Sequence, residues 1–247
     1  MEFVRRTWAE ISLDAIARNF SEIRERVKPK TKLCCVIKAD GYGHGAVELA
    51  HIYEELGADY FAVSNIDEGI EIRDSGCKLP ILILGYTPVS EVKKLSDYKI
   101  SQAVFSLEYA RKLSAECEKT DCDCNIHIKI DTGMSRIGFM CQQFPRDYYS
   151  IEEIKQACAL PRLLLEGLFT HFCVSDEGSE GREFTNRQFE NFVYVKSELQ
   201  KSGLDIPICH CSNSGAIEDY SETYCDMVRA GIIHVMKCGL WWCFSDE

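Results

Sequence analysis

No stretch of the chain reaches the roughly 18 consecutive apolar residues that a membrane-spanning helix needs. The first residues, Met1-Glu2-Phe3-Val4-Arg5-Arg6, lack the apolar core of a secretory signal. Together these point to no membrane partner and to the cytoplasm. Positive charge is also short: 28 Lys and Arg stand against 39 Asp and Glu, a net charge of −11. That disfavours nucleic acid, which wants a basic face. A small anionic ligand remains compatible, because backbone N–H groups and a single arginine can hold a phosphate on an acidic protein.

Two further absences narrow the chemistry. The cluster Cys117, Cys122, Cys124 has no C-x-x-C pair near it, so no metal site is expected there or elsewhere. In a reducing compartment the 14 cysteines read as thiols, not bridges. A Gly-rich dinucleotide loop is missing after the first strand, which counts against an open doubly wound sheet.

What is present is a chain of 247 residues, 46% hydrophobic and 27% charged, long enough for one large domain. Eight short apolar runs recur: Leu33–Lys38, Tyr60–Ser64, Ile81–Gly85, Ser101–Phe105, Asn125–Asp131, Leu165–His171, Ile206–Cys211 and Met227–Ile233. Most lack strict alternation, as expected of strands buried on both faces. Helical spacing fills the gaps. Asp14, Asp67, Ser90 and Ser106 are candidate helix starts, and Phe184–Leu199 forms an amphipathic run stopped by Gly203. Ser175–Thr185 reads as the longest polar loop. Eight alternations of strand and helix predict an α/β fold of the (β/α)8 TIM-like barrel type. The segment 14–27, ahead of the first strand, is placed to fill the gap between strands eight and one.

Barrel enzymes build their sites at the carboxyl ends of the strands. Strand one ends in Lys38, and a lysine desolvated there would lose its charge, as Schiff-base chemistry requires. A lysine snorkelling to the rim is the equal alternative. Strand five leads through Lys129 to Arg136, and strand six ends in His171. Strand seven runs into Asn213-Ser214-Gly215, and strand eight holds Arg229-Ala230-Gly231-Ile232. The last two loops often form a phosphate cradle in this fold. Ser214 starts a helix there, and Gly231 lets backbone approach closely. His171 taken alone also suits a satisfied core histidine, and Arg229 a structural ion pair. Their joint placement at one end favours a site.

At these residues the chain resembles the alanine racemase family. The matching stretches are VIKADGYGHG around Lys38, KIDTGMSRIGF at 129–139, FTHF at 169–172, CSNSGA at 211–216 and MVRAGI at 227–232. The resemblance implies pyridoxal 5'-phosphate as cofactor, held as a Schiff base by Lys38, which also moves one proton. It implies cofactor binding by Tyr42, His171, Asn213, Ser214, Arg229, Gly231 and Ile232. Tyr42, Ser214, Gly231 and Ile232 would hold the phosphate, and Arg229 would face the pyridine nitrogen. Arg136 would contact substrate, held by Lys129 at a position often carbamylated in the family. The implied activity is interconversion of L- and D-alanine for peptidoglycan precursors, in a homodimer, with serine as the alternative substrate.

The resemblance covers a pyridoxal-phosphate-binding barrel over 1–232, with 1–13 as a strand that pairs with a C-terminal β-domain in the family. Residues 233–247 read as a divergent apolar tail with Trp241, Trp242 and Phe244. The β-domain, which supplies the family's second catalytic tyrosine, is not found in the sequence. Impaired activity through truncation is therefore expected, and self-association through the tail. A single-domain pyridoxal-phosphate carrier and an inactive fragment are the alternative readings.

Overall fold

The computed structural model describes residues 10–236. The expected N-terminal strand and most of the apolar tail lie largely outside them. Among the described residues, eight barrel strands follow one another: β1 Lys32–Val36, β2 Tyr60–Val63, β3 Ile81–Ile83, β4 Ile100–Val104, β5 Cys124–Asp131, β6 Leu163–Phe169, β7 Ile208–His210 and β8 Met227–Ala230. Helix α1 Leu13–Arg26 precedes them. Helices α2 Ala46–Glu55, α3 Ile66–Asp74, α4 Val92–Asp97, α5 Leu107–Thr120, α6 Tyr149–Cys158, α7 Gly178–Lys201 and α8 Ser214–Asp219 follow β1 to β7 in turn.

All neighbouring strand pairs are parallel, and β8 returns to β1 with Lys32 opposite Met227 and Cys34 opposite Arg229. Between β7 and β8 the regular ladder gives way to individual bonds. Asp226 N donates to Cys209 O (3.0 Å), Arg229 N donates to Ser212 O (3.0 Å), and the Asp226 carboxylate accepts from Cys209 N (2.8 Å). These bonds bring the barrel close to closure. The expected (β/α)8 architecture is what forms. Among the described residues, only a 3-10 turn, Ile232–His234, follows β8, and α1 packs there: Asn19 Nδ2 donates to His234 O (3.3 Å). His234 Nε2 donates to Val36 O (2.8 Å), so its Nδ1 accepts from the Tyr53 hydroxyl (2.6 Å). Burial pushes this imidazole down to about 4, so it stays neutral.

The strands alternate between two cores. Outward residues such as Leu33, Phe61, Ile81, Ile126 and Ile128 pack under the helices. Inward residues divide into an apolar group (Cys34, Val36, Tyr60, Ala62, Leu82, Ile208 and Met227) and buried polar groups. Alternation is hidden in the sequence because both faces are buried.

Several local expectations shift. Ser106 caps α5 by accepting from Tyr109 N (3.2 Å), as expected. Ser12, not Asp14, caps α1. Asn65, not Asp67, caps α3, leaving Asp67 in the first turn where its charge suits the helix dipole. Ser90 lies inside a 3-10 turn, Val89–Glu91, and caps nothing. Helix α7 begins at Gly178, so most of the expected Ser175–Thr185 loop is helical. Gly181 permits this start, since any Cβ there would strike the Val174 carbonyl. A two-residue strand, Phe139–Met140, pairs with β5 and was not expected.

Candidate active site

The residues nominated from the sequence meet at the carboxyl end of the barrel, around a cavity of about 800 Å³. Lys38, Tyr42, Lys129, Arg136, His171, Asn213, Ser214, Arg229, Gly231 and Ile232 all line it. A pocket of this size at strand ends suits a small ligand.

Of the two readings open for Lys38, the structure takes the rim position. β1 stops at Val36, Ile37 is the last buried residue, and Lys38 is only partly buried at the rim. The cause is a left-handed helical turn. Ala39, Asp40, Gly41 and Tyr42 have φ of 51°, 52°, 61° and 58°. Non-glycine residues pay about 1–2 kcal/mol each in that region. Side chains hold the turn in place. Asp40 accepts from Ala46 N (2.9 Å), and Glu68 accepts from Ala39 N (2.9 Å) and from Ser64 N (2.8 Å). The chain thus reverses sharply and puts Lys38 and Tyr42 on the same cavity wall, at a strain concentrated beside the site.

The desolvated lysine is Lys129, 4% exposed on β5. Burial, with Arg229 and Arg136 nearby, pushes its amine down to about 7, against a smaller opposing pull from Asp131. Its Nζ donates to Ile130 O (2.8 Å) and lies 5.5 Å from the Phe169 ring centre. Arg136 is exposed at the rim. His171 lies just beyond β6, and burial and the Arg229 charge drive it well below its usual value, so it is neutral.

In the same cavity three groups converge: Tyr42, Ser214 and Gly231. Gly231 N donates to Ser214 Oγ (3.1 Å). A Cβ on Gly231 would stand 2.8 Å from the Tyr42 hydroxyl and 3.3 Å from Ser214 Oγ. Only glycine leaves that gap open. Burial pushes the Tyr42 phenol up to about 12, so it keeps its proton as a donor. Asn213 has a structural duty as well: its Oδ1 accepts from Ala216 N (3.1 Å) and Ser175 Oγ (2.7 Å), and its Nδ2 donates to Phe172 O (3.1 Å). β8 ends at Ala230, so Ile232 belongs to the 3-10 turn and is exposed.

Arg229 is 3% exposed. It donates to His210 Nδ1 (2.8 Å), Thr170 O (2.8 Å) and Cys211 O (3.1 Å), and sits 3.4 Å from His171 Nδ1. His210, and His127 behind it, were not nominated from the sequence. A signal existed: His127, Lys129 and Asp131 recur at the strand period and so share the interior face of β5. The described cysteines are all free thiols. No described helix is long and apolar enough to cross a membrane.

The geometry defines a parallel α/β barrel whose mouth gathers amines, guanidinia and a glycine-lined hydroxyl cradle, suited to a small anionic ligand. The family described as "Alanine racemase, N-terminal domain" matches residues 11–237, and the chain belongs to it. It is 44% identical over 230 residues to the alanine racemase of Clostridium perfringens, covering 93% of this chain and 58% of that protein. Against the alanine racemase structure from Clostridium difficile 630 the TM-score is 0.87 at 42% identity, over 94% of this chain and 59% of that one. The Bacillus anthracis alanine racemase structure with bound L-Ala-P gives 0.85 at 29% identity, over 100% and 62%. The chain thus spans about three fifths of the length of the relatives it matches.

Proposed function

We propose that this chain is the cofactor-binding barrel of a pyridoxal-phosphate-dependent alanine racemase. The observation that carries the reading is the convergence of all ten family-motif positions on one cavity, with the Tyr42 and Ser214 hydroxyls brought together beside Gly231.

The residues fit that cofactor. Tyr42 and Ser214 hydroxyls supply hydrogen bonds for a phosphate, and Gly231 supplies the room. Asn213 fixes the loop that presents Ser214. Lys38 is the amine that would hold the cofactor, and it would carry a proton to and from the α-carbon of alanine. Arg229 would face the pyridine nitrogen. A guanidinium keeps its proton, so that nitrogen would stay unprotonated and proton exchange would be favoured over transamination. His171, neutral, would stand beside the ring. Pyridoxal phosphate, when bound, supplies the sink for the electron pair left by the α-proton.

Arg136 binds the substrate carboxylate. In its charged form Lys129 repels Arg136. A neutral amine is the form that takes up CO2, and a carbamate on Lys129 would turn repulsion into attraction. Racemisation needs a second proton carrier on the opposite face, and we assign it to the part of the relatives' length that this chain does not span. Cytoplasmic location, homodimerisation and alanine over serine belong to the same reading. So does the division into a barrel over 1–232, an edge strand within 1–13 and a tail over 233–247.

The test is borohydride reduction of the chain with pyridoxal phosphate, followed by peptide mapping. The adduct is expected on Lys38 and absent from Lys38→Ala. An adduct on another lysine overturns the assignment.

A further inference from the structure

We infer that Glu166, at the base of the barrel, is a positioning residue for Arg229, acting through His127 and His210 as a one-way hydrogen-bonded chain. The task of Arg229 at the cofactor rests on the function proposed above. The chain of bonds does not.

The direction of the chain follows from its upper end. A guanidinium has donors and no acceptor. Where Arg229 meets His210 Nδ1 at 2.8 Å it donates, so that nitrogen carries no proton. The His210 proton then sits on Nε2, 2.9 Å from His127 Nδ1. That nitrogen must accept, which leaves the His127 proton on Nε2. His127 Nε2 lies 3.3 Å from Glu166 Oε2, with the Tyr60 hydroxyl also at 3.3 Å. Glu166 accepts from Ser101 Oγ as well (2.5 Å). The lower end agrees: an ionised carboxylate only accepts. Both tautomers are therefore fixed twice, once from each end.

The backbone is shaped around this chain. Any Cβ on Gly167 would collide with the His127 ring, and β5 and β6 shift register between Ile126 and His127. The Phe169 ring stacks on His210 at 4.9 Å and 6°. Partial burial works against the charge on Glu166, yet hydrogen bonds from His127 and Ser101 bring it below its usual value. Burial and Arg229 keep His210 neutral.

None of the three acceptors that Arg229 meets within 3.1 Å is a carboxylate. Its compensating charge arrives in relayed form. The carboxylate polarises His127 Nε2–H, which strengthens His127 Nδ1 as acceptor for His210, and so His210 Nδ1 as acceptor for Arg229. Glu166 borders a separate cavity at the opposite end from the site, lined also by Ser101 and Asn125. The orientation of the guanidinium at the mouth is thereby set from the base.

The experiment is imidazole NMR on the chain labelled with 15N-histidine, first without cofactor and then with pyridoxal phosphate. Both rings are expected neutral with the proton on Nε2. In Glu166→Gln the tautomers should persist, the ring N–H proton of His127 should move upfield, and that of His210 should follow by a smaller amount. Glu166→Asp should restore part of each shift. With cofactor, Glu166→Gln should shift the absorbance band and weaken retention several-fold. A proton on Nδ1 of either ring in the unaltered chain, or an unmoved His210 in Glu166→Gln, overturns the chain. Ring shifts with an unmoved cofactor band overturn the positioning role. Failure of the chain to bind cofactor at all would sink the proposed function and leave the cofactor-free spectra to decide the rest.

Discussion

The barrel has two cores, and they are built on opposite rules. Between strands and helices lies an apolar jacket of fully buried side chains such as Phe61, Leu113 and Phe192. Inside the strands, polar groups are buried just as deeply: His127, Lys129, Asp131, Thr170, His210 and Arg229. The jacket is held by area removed from water and by close packing, which are non-directional. The polar part of the interior, beside its small apolar group, is held by directed bonds, each of which fixes a donor, an acceptor or a tautomer. Side chains buried to the same degree thus do different work. Loss of volume should damage the first core, and loss of charge or direction the second.

The largest expected effect lies in the jacket. Phe192 on α7 is fully buried in the apolar jacket. Phe192→Ala should cost about 3–5 kcal/mol of stability, read as a lower denaturation midpoint. The molecules that remain folded should still place the borohydride adduct on Lys38. A lost adduct at temperatures where the variant is folded would show that the two cores are not separable.

Inside, Lys129 gives the next effect, and it depends on pH. Its amine titrates near 10.5 in the unfolded chain and near 7 when folded. Between those values the unfolded state binds more protons, so stability rises with pH across that window. Below about pH 7 the full penalty of burying the cation stands. Lys129→Met should therefore gain on the parent chain at pH 6 and lose that advantage toward pH 10, by a few kcal/mol at most since one pKa unit is worth about 1.4 kcal/mol. Chemical denaturation in CO2-free buffer at the two pH values checks it. A difference that does not change with pH would place the Lys129 proton elsewhere.

The two cores also differ in how far the sequence discloses them. The jacket is written in it: eight apolar runs announce eight strands because both faces are buried. Ser106 announces a helix start because its capping bond is local. The interior is legible only through strand ends and family motifs. The motif VIKADGYGHG points to Lys38, but not to the left-handed turn that leaves this lysine at the rim. Nothing local in Ala39 or Tyr42 specifies a positive φ. Asp40 helps from within the turn by accepting from Ala46 N, and Glu68 holds Ala39 N from 29 positions away. His127 and His210 escape a reading of strand ends because they sit one layer deeper. Asn213 looks like a ligand contact by position, yet its side chain is committed to capping α8 and to Phe172 O.

The smallest effect belongs where the two cores meet the ligand. Gly231 has no positive φ to explain it; what it provides is space. A methyl group there would lie 2.8 Å from the Tyr42 hydroxyl and 3.3 Å from Ser214 Oγ, and both hydroxyls end flexible or rotatable groups that can give way. Folding should therefore hardly suffer, while the gap closes. Gly231→Ala is expected to weaken pyridoxal phosphate binding by about 1–3 kcal/mol, the usual cost of overpacking a fitted space, or roughly 10–100-fold. Pyridoxal without its phosphate offers the control. It shares the ring and the aldehyde but asks nothing of the cradle, so its binding should be nearly the same in both chains. Titration of the two ligands by absorbance separates the cases. Equal losses for both would mean that the methyl group disturbs the ring site through Tyr42, and that the gap beside Gly231 is not where the phosphate lies.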